Sequence, residues 1–148
     1  MSFTASAASS SDVVSSEYAE SHGLTGIARI VSHALVSGPD VSLHAQPANA
    51  ISAALAKTSR TASELAAVEI NEAFAAVGVH STRQLGVDPS IVNANGGAIA
   101  LGHPIGASGA RIVGHLARRL AAQGSGSLGA AGICGGGGQG SAIVLEAV

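Results

Sequence analysis

Aromatic side chains are nearly absent: the 148 residues hold no tryptophan, one tyrosine and two phenylalanines, although 47% of the chain is hydrophobic. The apolar part is therefore mostly Ala, Val, Ile and Leu. Side chains this small fill a core only where backbones approach closely, which fits the 20 glycines. Cysteine is limited to Cys134, which excludes an intrachain disulfide framework and a cysteine zinc cluster and fits a reducing compartment. Charged residues make up only 11%, against about a quarter in ordinary domains. This scarcity implies that other protein covers part of the surface. A net charge of −2 gives no support to a nucleic-acid partner. The Ser- and Ala-rich start has neither a basic region nor a long apolar run, so no signal peptide is expected and the expected location is cytoplasmic. Residues 120–145 lack charge over a length that suits a bilayer. Gln123, Gln139 and a dense glycine cluster make a Gly-rich hairpin the expected structure there, and no membrane association is expected.

The length fits one domain. Residues 1–15 read as a polar, flexible lead-in, and 16–22 as a short helix stopped by Gly23. Residues 28–36 alternate in part and are rich in β-branched side chains, which predicts a strand ended by Gly38-Pro39-Asp40. Pro47 opens a helix with Ala48, Ile51 and Leu55 on one face. Thr61-Ala-Ser-Glu64 is a capping-box pattern leading into a buried strand over 67–70. A helix follows over 73–85, stopped by Gly86. Ile91, Val92, Ala94 and residues 98–101 read as strand and buried connection. Ile112, Leu116 and Leu120 recur at steps of four inside a helix that ends near Gln123, while Arg111, Arg118 and Arg119 take other faces. Strands over 127–134 and 141–145 flank a glycine turn. The order β-α-β-α-β-α-β-β predicts an α/β fold with helices packed on a mostly parallel, mixed sheet.

Chemistry concentrates in three places. Between Asp88 and Arg111 there is no charged residue, and Gly102-His103-Pro104 holds an ionisable ring at a tight turn before a helix N-terminus. Asn71 follows the strand over 67–70, where open α/β sheets place ligands, although it also suits a helix cap. Cys134 precedes four glycines, whose backbone N–H groups can surround a negative oxygen; a small buried thiol is the plainer reading. Phe74 reads either as pocket wall or as ordinary core. Gly124-Ser-Gly-Ser-Leu-Gly129 matches a dinucleotide loop in letters, but it follows a helix and precedes a strand, the reverse of what that loop requires. His22, His33 and His44 have no short metal spacing, so no metal is expected; His80 and His115 read as surface-helix residues.

Three of these stretches also resemble one family in the order that it places them. Asn95-Gly-Gly-Ala-Ile-Ala-Leu-Gly-His-Pro-Ile-Gly-Ala-Ser-Gly-Ala-Arg111 is similar to the histidine block of thiolases. Glu69-Ile-Asn-Glu-Ala-Phe-Ala75 resembles their Asn-Glu-Ala-Phe block, and Cys134-Gly-Gly-Gly-Gly-Gln-Gly140 their C-terminal cysteine block. The resemblance covers residues 24–148 and implies a thiolase C-terminal domain; residues 1–23 then form a lead-in left from the region before it.

What the resemblance implies is acyl transfer between coenzyme A thioesters, as in the acetyl-CoA acetyltransferases and 3-ketoacyl-CoA thiolases of fatty acid metabolism. No cofactor is implied beyond those thioester substrates. His103 would activate a nucleophilic cysteine and help bind the thioester oxygen, and Asn71 would complete that oxyanion site through a water. Cys134 would be the acid–base thiol, and the Gly136 N–H would join a second oxyanion site. Phe74, with Ala73, would line the substrate pocket. The family's nucleophile is a different cysteine, in an N-terminal half that these residues do not match. The isolated chain is therefore expected to be inactive, with a partner half or a thiolase oligomer completing it. The alternative is a silent module that only associates with other thiolase chains.

Overall fold

A computed structural model describes residues 11–148; the first ten residues of the expected lead-in lie outside them. A short helix, α1 (Ser16–Ser21), is capped by the Ser15 hydroxyl, which accepts the Tyr18 N–H, and stops before Gly23 at φ 62°. Strand β1 (Ala28–Ser37) follows, then helix α2 (Gln46–Leu55) with Pro47 in its first turn. The Glu64 carboxylate accepts the Thr61 N–H at 2.7 Å in a single 3-10 turn, as the capping pattern predicts. Strand β2 (Leu65–Ile70) and helix α3 (Ala75–Leu85) come next, and Gly86 ends α3 in the left-handed region at φ 68°. After a second 3-10 turn come a one-turn helix α4 (Ala98–Leu101), the long helix α5 (Ile105–Gln123), and the hairpin of β3 (Leu128–Gly135) and β4 (Gln139–Ala147).

The fold is α/β with a four-stranded mixed sheet in the order β1-β4-β3-β2. Its directions correct one expectation. Only β2 and β3 pair in parallel, whereas β1–β4 and β3–β4 are antiparallel. The strand expected at Val92 is reduced to one parallel bridge, Val68 to Val92. Asn93 ends it by turning to φ 47°, and its side-chain amide then replaces the next strand residue. Its Oδ1 accepts the Ile70 N–H and its Nδ2 donates to the Ile70 carbonyl, each at 2.9 Å. Residues 98–101, expected within a strand and buried connection, form one helical turn with Ile99 and Leu101 exposed.

Two apolar layers hold the sheet. On one face α2 and α3 bring Ala48, Ile51, Ala54 and Val77 against Ala34, Val68, Ile70 and Val144. On the other face α5 sets Ile112, Leu116 and Leu120 against Ala67, Ala131 and Leu145. Two glycines of β3 let the helices sit this close. A Cβ at Gly129 would lie 2.8 Å from a Leu116 methyl, and one at Gly132 would lie 3.0 Å from the Ile51 methyl. A core of small side chains thus reaches dense packing through backbone proximity. Among the described residues, no helix is long and apolar enough to cross a membrane.

Candidate functional site

Parallel pairing puts the C-terminal ends of β2 and β3 side by side, with Ile70 opposite Gly132. The Asn71 N–H continues this ladder by donating to the Gly132 carbonyl at 2.9 Å. Asn71 is fully buried and does not cap α3, which begins at Ala75 without a side-chain cap. Its Nδ2 instead lies 3.2 Å from His103 Nε2, and its Oδ1 accepts from Arg111 Nη2 at 3.4 Å. A fully buried amide needs such partners, because an unmade hydrogen bond costs about 1–3 kcal/mol.

His103 occupies the turn between Gly102, at φ 91°, and Pro104, the N-cap of α5. The ring is exposed on one side and anchored on the other. His103 Nδ1 lies 2.7 Å from the Ser108 hydroxyl, which donates to the Pro104 carbonyl at 3.0 Å. Ser108 is fully buried one turn into α5. The fold thus brings Asn71 and His103 into contact.

Cys134 stands near the end of β3, one strand away. It packs against the α2–α3 layer, whereas its neighbour Ile133 packs against the α5 layer. Among the described residues its thiol makes no hydrogen bond to Asn71 or His103. Burial pushes the Cys134 thiol above its ordinary value, so it keeps its proton at neutral pH. Gly136 opens the hairpin turn and is exposed, its carbonyl accepting from Gln139 Nε2 at 3.1 Å. The turn rests on residues 38–46: the Gly38 N–H donates to the Gly138 carbonyl at 3.0 Å. At Gly138, φ is 75° and a Cβ would overlap the Asp40 carbonyl, so only glycine fits.

Phe74 is 62% exposed and belongs to neither apolar layer, which removes the ordinary-core reading. Ala73 is half-buried, and its N–H closes a turn onto the Asn71 carbonyl at 3.0 Å. Ile99, Leu101 and Ile105, on the segment that carries His103, are 60–76% exposed. The segment around His103 thus exposes apolar side chains. A groove of about 390 Å³ is lined by Glu72, Val79, Thr82, Arg83 and Ile99 among others, but not by Asn71, His103 or Cys134.

Several supporting residues escaped the sequence reading. Glu72 accepts from Asn93 Nδ2 at 2.8 Å and from the Ile99 N–H at 3.0 Å, which ties the loop before His103 to the end of β2. A Cβ at Gly97 would collide with that carboxylate. Glu69 is fully buried and meets Arg119 Nη1 at 2.6 Å, while Arg119 also donates to the Ile91 carbonyl at 2.9 Å. His115 is not a free surface residue: its Nε2 is buried 3.7 Å from Glu69 Oε1. The available signal was the spacing of Arg111, His115 and Arg119 at steps of four, opposite Glu69 on β2 and Asn71 just past its end. Among the described residues, no group of three His, Cys, Asp or Glu side chains is placed to hold a metal.

Residues 24–147 match the family described as thiolase, C-terminal domain. A probable acetyl-CoA acetyltransferase of Mycolicibacterium smegmatis is 56% identical over 134 residues, covering 90% of this chain and 34% of that protein. Solved structures agree in fold. A thiolase from Ascaris suum in complex with coenzyme A superposes with a TM-score of 0.84 at 40% identity, covering 90% of this chain and 34% of that one. Human mitochondrial 3-ketoacyl-CoA thiolase gives 0.85 at 38% identity with the same coverage. The chain spans about a third of the length of the relatives it matches, 34% in each of these.

Proposed function

Because the chain belongs to the thiolase family and matches its C-terminal domain, we propose that it supplies the oxyanion-binding and acid–base half of an acetyl-CoA C-acetyltransferase site. Its substrates are 3-ketoacyl-CoA and acetyl-CoA, and the nucleophilic cysteine comes from a companion thiolase half or subunit. The observation that carries this reading is the contact of Asn71 Nδ2 with His103 Nε2 at 3.2 Å. The amide nitrogen also lies 3.5 Å from Nδ1, close against the ring. Once Nε2 is protonated, two donors face each other, and an oxygen carrying negative charge satisfies both.

Written in the cleavage direction, the steps balance as follows. A companion cysteine gives its proton to His103 Nε2, and its thiolate attacks the 3-keto carbon. The bond between C2 and C3 then breaks, and its electron pair moves into the enolate of acetyl-CoA. The enolate oxygen is held between Asn71 and protonated His103. Cys134 passes its retained proton to C2 and releases acetyl-CoA. Coenzyme A thiol, deprotonated by Cys134, then attacks the acyl-cysteine thioester, and the companion cysteine leaves as thiolate. The Gly136 N–H steadies the oxygen of that second tetrahedral intermediate. Phe74 and Ala73 supply apolar contact beside the reacting carbons. No metal or resident cofactor enters these steps. The single cysteine fits a reducing, cytoplasmic setting, and the exposed apolar surface around His103 fits the companion or a thiolase oligomer.

The test is thiolysis of acetoacetyl-CoA by the purified chain, alone and mixed with the cysteine-bearing remainder of a close relative. Turnover only in the mixture, abolished by Cys134→Ala, is the expected result. Turnover by the chain alone would overturn the division of labour. An associated but inactive mixture would establish the silent module instead.

A further inference from the structure

The polar pair is itself held from two consecutive turns of α5. Ser108 Oγ has one proton and donates it to the Pro104 carbonyl at 3.0 Å, so toward His103 Nδ1, at 2.7 Å, it accepts. That arrangement puts the ring proton on Nδ1, and the Asn71 amide nitrogen lies close to both ring nitrogens, 3.2 Å from Nε2 and 3.5 Å from Nδ1. At the other end, the Arg111 guanidinium has only donors, and its Nη2 faces Asn71 Oδ1 at 3.4 Å. A flipped amide would set its NH2 group against that cation. That would be a donor–donor contact. Arg111 pairs with no carboxylate among the described residues; the nearby Glu69 meets Arg119 instead. Its positive charge is thus directed at the amide and its surroundings.

We propose that Ser108 and Arg111 are positioning residues, Ser108 holding His103 as the Nδ1–H tautomer and Arg111 fixing the Asn71 amide with its NH2 toward the ring. Together they set which atom of each side chain meets the reacting oxygen. Their importance for acyl transfer rests on the function proposed above, but the tautomer and the amide orientation do not. Histidine free in water favours the opposite tautomer, with the proton on Nε2. The assignment is therefore diagnostic.

Two-bond proton–nitrogen correlation spectra of the 15N-labelled chain read the tautomer directly. They are recorded about two units above the ordinary histidine value of ~6.5, with the His103 signals identified from their loss in His103→Gln. The expected pattern is Nδ1–H in the unaltered chain, a shift to mainly Nε2–H in Ser108→Ala, and retention of Nδ1–H in Ser108→Thr. Arg111→Met should displace the Asn71 side-chain NH2 signal and the His103 Nε2 resonance while the other five histidines keep theirs. An Nε2–H ring in the unaltered chain overturns the proposal without any variant, as does an unchanged ring in a folded Ser108→Ala. In the complemented thiolysis mixture both variants should lower kcat at least about tenfold with KM little changed. A rise in KM alone would contradict positioning. The expected spectra with no turnover in any mixture would leave the positioning intact and remove the acyl-transfer reading.

Discussion

Asn71 and His103 lie 32 positions apart in the chain, yet the amide nitrogen of one stands 3.2 Å from Nε2 of the other. Different elements deliver them. Asn71 is carried by the ladder between β2 and β3, whereas His103 is set by a glycine–proline turn at the head of α5. Packing of α5 on the sheet through Leu116 and Gly129 fixes the distance between these two supports. The site therefore depends on an apolar contact about three helical turns away from the chemistry.

The thiol of Cys134 should resist alkylation at neutral pH. Burial disfavours its thiolate, so the rate of reaction with iodoacetamide should rise with pH through a midpoint above the ordinary thiol value. In urea the midpoint should fall back toward that value. The chain has a single cysteine, so mass spectrometry reads one site. Fast alkylation of the folded chain below the ordinary midpoint would contradict this environment.

Arg119→Ala should be among the most destabilising changes outside the apolar layers. It strands the Glu69 carboxylate, which is fully buried and paired with Arg119 at 2.6 Å. Breaking one side of such a pair costs about 3–5 kcal/mol. Urea unfolding measures it, and the double change Glu69→Leu with Arg119→Met should recover most of the loss. A cost of Arg119→Ala below about 1 kcal/mol would show that the pair is solvated.

Glycines in this chain should divide into two kinds when replaced by alanine. Gly138→Ala meets the Asp40 carbonyl at a φ of 75° and should cost more than about 1 kcal/mol. Gly109→Ala, inside α5 with nothing within 4 Å of the new methyl, should stabilise the folded chain by about 0.5–1 kcal/mol. Thermal unfolding of the two variants decides, and a reversed order would contradict the backbone described here.

Most elements were legible because apolar periodicity and glycine stops mark them directly, as at Ile112, Leu116 and Leu120 of α5 or at Gly86 after α3. Strand direction was not legible, since alternation is the same in parallel and antiparallel pairs. The missing fifth strand depends on Asn93, whose side chain imitates a backbone, and no pattern of apolar residues announces that. Asn71 and His103 stood out through their motifs. Ser108 and Arg111 did not, because a polar residue on a half-buried helix face reads as a surface residue until the opposing strand, with Glu69 and the residue after it, is in place. Phe74 was ambiguous for a related reason: its composition class favours the core, and its exposure is visible only in three dimensions.

The central claim is that Asn71 and His103 bind one oxygen between them. A double-mutant cycle on kcat/KM for thiolysis, with Asn71→Ala and His103→Ala in the complemented mixture, tests it most directly. Asn71→Ala should cost about 10²–10³, the usual loss for one oxyanion donor, and His103→Ala more, since it also removes the base that takes the companion cysteine's proton. The double change should cost little more than the worse single one, since half of the pair cannot act alone. Multiplication of the two losses would contradict the account, placing the two side chains in separate steps.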